Sequence, residues 1–82
     1  MEDEMSEINK TIGNGLKKAR KLRGMTRIEL GMKMHYSDST IAYYESGAGR
    51  MSVDKLFEFA DALDVPVIWL LNCGEVVNDE KS

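Results

Sequence analysis

The stretch from Arg27 to Glu45, RIELGMKMHYSDSTIAYYE, limits what this chain can become more than any other. It holds two short helical patterns separated only by His35-Tyr36-Ser37, a connection that permits nothing but a sharp reversal. Thr26 is placed to cap the first helix, and Glu29, three residues on, completes a capping box. Ile28, Leu30 and Met34 are predicted to form one apolar stripe, with Gly31 allowing close approach where the helices cross. Ser37 is the N-cap expected for the second helix, and Asp38 suits the positive end of its dipole. Ile41 and Tyr44, at spacing three, point inward. Asp38, Ser39, Ala42 and Tyr43 are then left facing outward.

Two capped helices around so tight a turn read as a helix-turn-helix, and the charge around them says what such a unit can meet. The whole chain carries a net charge of −3. Residues 10–33, however, contain eight lysines and arginines against Glu29 alone, a local +7. Residues 1–9 carry −4 and residues 34–82 carry −6. A polyanion responds to the local field rather than the sum, so the basic block beside the motif favours phosphate.

Residues 1–9 have four acids and little apolar content and are predicted to be a flexible acidic arm. Residues 10–74 form the folded domain, and residues 75–82 are expected to be a flexible tail. The first helix starts near Thr11, with Ile12, Leu16, Ala19 and Leu22 at helical spacing, and ends before Gly24. After Glu45, SGAGR breaks the chain and leaves Arg50 on an exposed loop. Ser52 caps a fourth helix whose stripe is Leu56, Phe59, Ala60 and Leu63, widened by Val53 and Phe57. Pro66 opens a fifth, apolar helix over about Val67 to Asn72.

Eighty-two residues are enough for one small domain with one job. A single Cys73 gives neither an internal disulfide nor a thiolate cluster, which suits a reducing cytoplasm. The lone His35 offers no paired metal site and has no nucleophile or carboxylate arranged beside it, so an enzyme is not expected. No run is long and apolar enough to span a bilayer, and the acidic start is unlike a secretory leader. The chain is expected to be soluble, to need no cofactor or metal, and to bind no small molecule.

In order and spacing, Arg20-x-x-x-Gly24-Met25-Thr26, Leu30, Ile41, Glu45-x-Gly47 and the ending ALDVPVIWLL resemble the phage repressor and Cro-like helix-turn-helix family, also called the XRE family. The resemblance covers roughly Ile12 to Asn72. It implies an all-α fold: a compact five-helix bundle of the lambda-repressor-like type, with the motif formed by helices 2 and 3. Helix 3 would lie in the major groove while helix 2 crosses the backbone. By position, Asp38, Ser39 and Tyr43 match base-reading sites, Arg27 and Thr40 match sites near phosphates, and Arg20 with Glu45 matches a structural ion pair.

Three positions depart from the family pattern. Arg27 replaces a frequent Gln, and His35 stands where Gly usually supplies a positive φ. Asp38 puts a carboxylate where Gln or Arg is common. It has two readings, a helix cap or an acceptor for cytosine N4. Ile68 also occupies a position that is often acidic in similar sequences, and with Val67 it suggests contact with a second copy. Trp69 and Tyr44 are assigned to the core.

The resulting expectation is a transcriptional repressor that binds double-stranded DNA as a homodimer. Lys17, Lys21, Arg27, Thr40 and Arg50 would contact the DNA backbone. The competing expectation is a protein-interaction module that uses the same bundle and its acidic surface to bind another regulator, a toxin or polymerase.

Overall fold

A computed structural model describes residues 2–76, with side chains over 7–71. Five helices follow one another: α1 (Glu2–Leu22), α2 (Arg27–Met34), α3 (Asp38–Glu45), α4 (Val53–Leu63) and α5 (Val67–Val76). Local chemistry sets most of their ends. At the close of α1 the Met25 amide reaches back to the Arg20 carbonyl at 3.0 Å, and Gly24 adopts φ 69°, which glycine enters without steric cost. Thr26 and Glu29 form both arms of the capping box, at 3.0 and 2.9 Å. Ser37 caps α3 by accepting the Thr40 amide, and Ser52 caps α4 by accepting the Lys55 amide, each at 3.1 Å.

Helix α2 ends on His35 at φ 65°, the left-handed turn that the missing glycine would have supplied. The Tyr36 amide then bonds the Gly31 carbonyl at 2.8 Å, closing the reversal. Gly31 is needed here for a reason other than a helix crossing: a Cβ would run into the Tyr36 carbonyl of the turn itself.

The core draws on every helix. Ile12, Leu16 and Ala19 from α1 meet Leu30, Ile41, Phe59, Leu63 and Leu70, all buried. Removing these side chains from water is the main stabilising term, roughly 1.5–3 kcal/mol for each large one. Tyr44 and Trp69 pack against this cluster while remaining partly accessible.

Several boundaries differ from those read in the sequence. The first helix, expected to start near Thr11, begins at Glu2, so residues 2–9 of the expected acidic arm are helical. No glycine or proline interrupts the chain between Glu2 and Ile12, and the Asn9 side-chain oxygen accepts the Met51 amide at 3.3 Å, which ties this end to the α3–α4 loop. Helix α5 runs on to Val76, into the expected tail; residues 77–82 lie outside the described residues.

The apolar stripes are narrower than periodicity implied. Leu22, Ile28, Val53 and Phe57 are exposed, because no neighbouring helix reaches the margin of the face each occupies. Among the described residues no helix is long and apolar enough to cross a membrane.

Candidate nucleic-acid interface

Helix α3 buries Ile41 and Glu45 and exposes Asp38, Ser39 and Tyr43 on one arc, with Ala42 between them half-covered. At 100° per residue these outward positions span less than half of the helix circumference, a single presentable face.

The helix is held at both ends. At its last residue, Glu45 takes a two-pronged contact from Arg20: Nε donates to Oε2 at 2.6 Å and Nη2 to Oε1 at 3.2 Å. Arg20 Nη1 also donates to the Met25 carbonyl at 2.9 Å. Both side chains are at least nine-tenths buried, so each depends on the other for its charge. Gly13 permits this approach. A Cβ there would stand 2.6 Å from the Glu45 carbonyl oxygen and 2.7 Å from that of Tyr44.

At its first residue, Asp38 Oδ1 lies 3.4 Å from Arg27 Nε, bridging the starts of α3 and α2. Both side chains are about half exposed, so the bridge contributes no more than about 1 kcal/mol to stability. Its effect is on charge, since it offsets the carboxylate that would otherwise repel a phosphate. The capping role offered for Asp38 falls to Ser37 instead. The Thr40 hydroxyl lies 2.9 Å from that of Ser37 and belongs to the same cap.

The eight cations of the basic block do unlike work. Arg20 is committed to Glu45. Arg23 donates Nε to the Leu63 carbonyl at 2.9 Å and Nη2 to that of Asp64 at 2.6 Å. Lys33 Nζ donates to the Ala62 carbonyl at 3.0 Å. The last two side chains thus satisfy carbonyls at the negative end of α4, where cations are favoured. Sequence reasoning counts all three toward the field; it pairs Arg20 with Glu45 but misses the partners of Arg23 and Lys33, which lie 29 to 41 residues away.

Lys10, Asn14, Lys17 and Lys21 are exposed at helical spacing along one stripe of α1, and Arg50 is exposed on the α3–α4 loop. Lys18 and Lys21 flank a shallow apolar groove floored by Leu22 and Trp69. On α5, Ile68 (60 % exposed) and Leu71 (38 %) share a stripe with half-buried Val67. Among the described residues no cluster of three or more His, Cys, Asp or Glu could hold a metal ion.

The helix-turn-helix family model HTH_3 matches residues 16–70. Among solved structures, the chain is similar to the restriction-modification controller protein C.AhdI from Aeromonas hydrophila. The TM-score is 0.69 at 22% identity, and the match covers 76% of this chain and 94% of that one. No curated protein matches.

Proposed function

The chain belongs to the HTH_3 helix-turn-helix family of DNA-binding domains, and from that premise we propose that it is a sequence-specific transcriptional repressor acting as a homodimer on a palindromic operator. Helix α3 enters the major groove, where Asp38, Ser39 and Tyr43 face base edges. Arg27, Thr40, Lys17, Lys21 and Arg50 lie along the DNA backbone. The observation that carries this reading is the exposed face of α3, anchored at one end by Arg20 and Glu45 and bordered at the other by Arg27.

Two copies related by a two-fold axis would set their α3 helices about 34 Å apart, one turn of DNA, on half-sites about 10 bp apart. Selection from random duplexes with the pure protein tests this directly. The expected product is an inverted repeat of that spacing; recovery of no motif would sink the proposal.

The internal commitments of Arg20, Arg23 and Lys33 sharpen the salt dependence. Four cations per copy remain in the proposed backbone set, Lys17, Lys21, Arg27 and Arg50. At about −0.9 per neutralised phosphate, a dimer should show a slope of log K against log salt near −7. Counting every cation of the basic block would give about twice that. A fluorescence-polarisation titration between 50 and 200 mM salt separates the two.

Val67 and Ile68, with Leu71 beside them, form the pairing surface in this reading. Ile68→Asp is expected to convert the dimer to monomer in sedimentation velocity and to weaken operator binding while leaving the fold intact. An unchanged mass would place pairing elsewhere.

One observation favours a second reading. Helix α4 exposes Val53 and Phe57 beside Asp54, Glu58 and Asp61, an apolar and acidic face suited to a protein partner. If Arg27→Ala and Asp38→Gln leave DNA binding untouched while changes on α4 abolish capture of a partner, that reading replaces the first.

A further inference from the structure

Tyr36 was assigned by sequence only to the reversal between α2 and α3, yet its side chain is the centre of a polar and aromatic cluster. Its hydroxyl accepts a hydrogen bond from Lys55 Nζ at 2.7 Å and donates to Glu58 Oε1 at 3.1 Å, so it relays between a cation and an anion on α4. The Lys55 ammonium also stands over the Tyr44 ring, 5.7 Å from its centroid.

Tyr44 is braced in turn by edge-on contact with Phe59 at 5.6 Å and with Tyr43 at 5.4 Å. The α3–α4 loop closes against the same pair. A Cβ on Gly49 would fall 2.7 Å from Tyr44 Cδ1 and 2.8 Å from Tyr43 Cε2, so only bare backbone fits there. A continuous set of contacts therefore runs from the first turn of α4, through Tyr36 and Tyr44, to the ring that α3 exposes.

We propose that Lys55 is a positioning residue for Tyr43: its ammonium, held on the Tyr36 hydroxyl and over the Tyr44 ring, fixes Tyr44 and through it the angle at which Tyr43 leaves α3. The bearing on specificity rests on reading α3 as the helix that meets DNA; the positioning itself does not. A cation over an aromatic face is attracted by the ring quadrupole, and edge-to-face ring pairs prefer defined angles, so both links transmit orientation. The hydrogen bond to Tyr36 raises the Lys55 pKa above its ordinary 10.5, against the opposing effect of burial. The group is thus charged wherever the domain works, and the contact is lost only as pH rises through that raised value.

Lys55→Met in the full chain removes the charge and keeps the stem. Its aromatic proton–carbon NMR spectrum is expected to show displaced Tyr43 ring resonances. Discrimination between the selected duplex and a scrambled one should fall about tenfold, the scale of one base contact. The salt slope should stay unchanged, and Lys55→Arg should restore both readouts.

Tyr36→Phe, which deletes only the hydroxyl, should displace the same resonances and guards against a misfolded first variant. Unmoved Tyr43 resonances in both variants would overturn the proposal. So would equal weakening on both duplexes with a shallower salt slope, because Lys55 would then be a phosphate ligand. If selection yields no duplex the DNA reading fails, and the Tyr43 resonances alone decide the positioning.

Discussion

Glu45→Ala is expected to lower the unfolding free energy by about 3–5 kcal/mol. The substitution leaves the Arg20 guanidinium buried with only the Met25 carbonyl to receive it. Small domains are stable by roughly 5–15 kcal/mol, so the variant should unfold at a far lower urea concentration and lose DNA binding with its fold. The mechanism is checked by a double replacement. Arg20→Met with Glu45→Leu removes both charges and should recover much of the loss, since an apolar pair of similar volume avoids the desolvation cost. A Glu45→Ala change of under 1 kcal/mol would show that water reaches the pair and that it does not anchor α3.

The second large effect has the opposite sign to what helix propensity alone suggests. Gly13→Ala in an isolated helix would gain about 1 kcal/mol. Here the added methyl meets the carbonyl oxygens of Tyr44 and Glu45, main-chain atoms that cannot swing aside, and α1 and α3 must part. A net loss of about 1–3 kcal/mol is expected in urea denaturation. Asn14→Ala, one residue further and exposed, provides the control and should be neutral or gain a few tenths of a kcal/mol. Equal behaviour of the two variants would mean that the helices are not in close contact at Gly13.

How far the sequence could be read depended on how local each device is. The caps at Thr26, Ser37 and Ser52 and the stop at Gly24 involve partners within five residues, so spacing rules reach them. Periodicity likewise located the centres of the buried stripes. It did not locate their edges, because whether Ile28 or Phe57 is covered depends on where the next helix lies. The same limit explains the basic block. Nothing in the chain distinguishes Arg23, which binds the end of α4, from Lys17, which faces water, until α1 and α4 are brought together. The Arg27–Asp38 bridge and the cluster around Tyr36 were hidden for that reason too: each joins residues separated by 11 to 22 positions across a turn or between helices.

The side chains that hold α3 are distinct from those it presents. Arg20 and Glu45 are bound to each other, and Arg20 to the Met25 carbonyl, whereas Ser39 and Tyr43 stand exposed and Asp38 is tied only to a half-exposed partner. Mutation can therefore explore Ser39 at little cost in folding, typically within about 0.5 kcal/mol for a surface change away from special features. A lineage built on this scaffold could drift to a new target sequence through intermediates that all remain folded. On the proposed reading of α3 as the helix that meets base edges, a designer seeking altered specificity should randomise Ser39 first, and vary Asp38 together with Arg27.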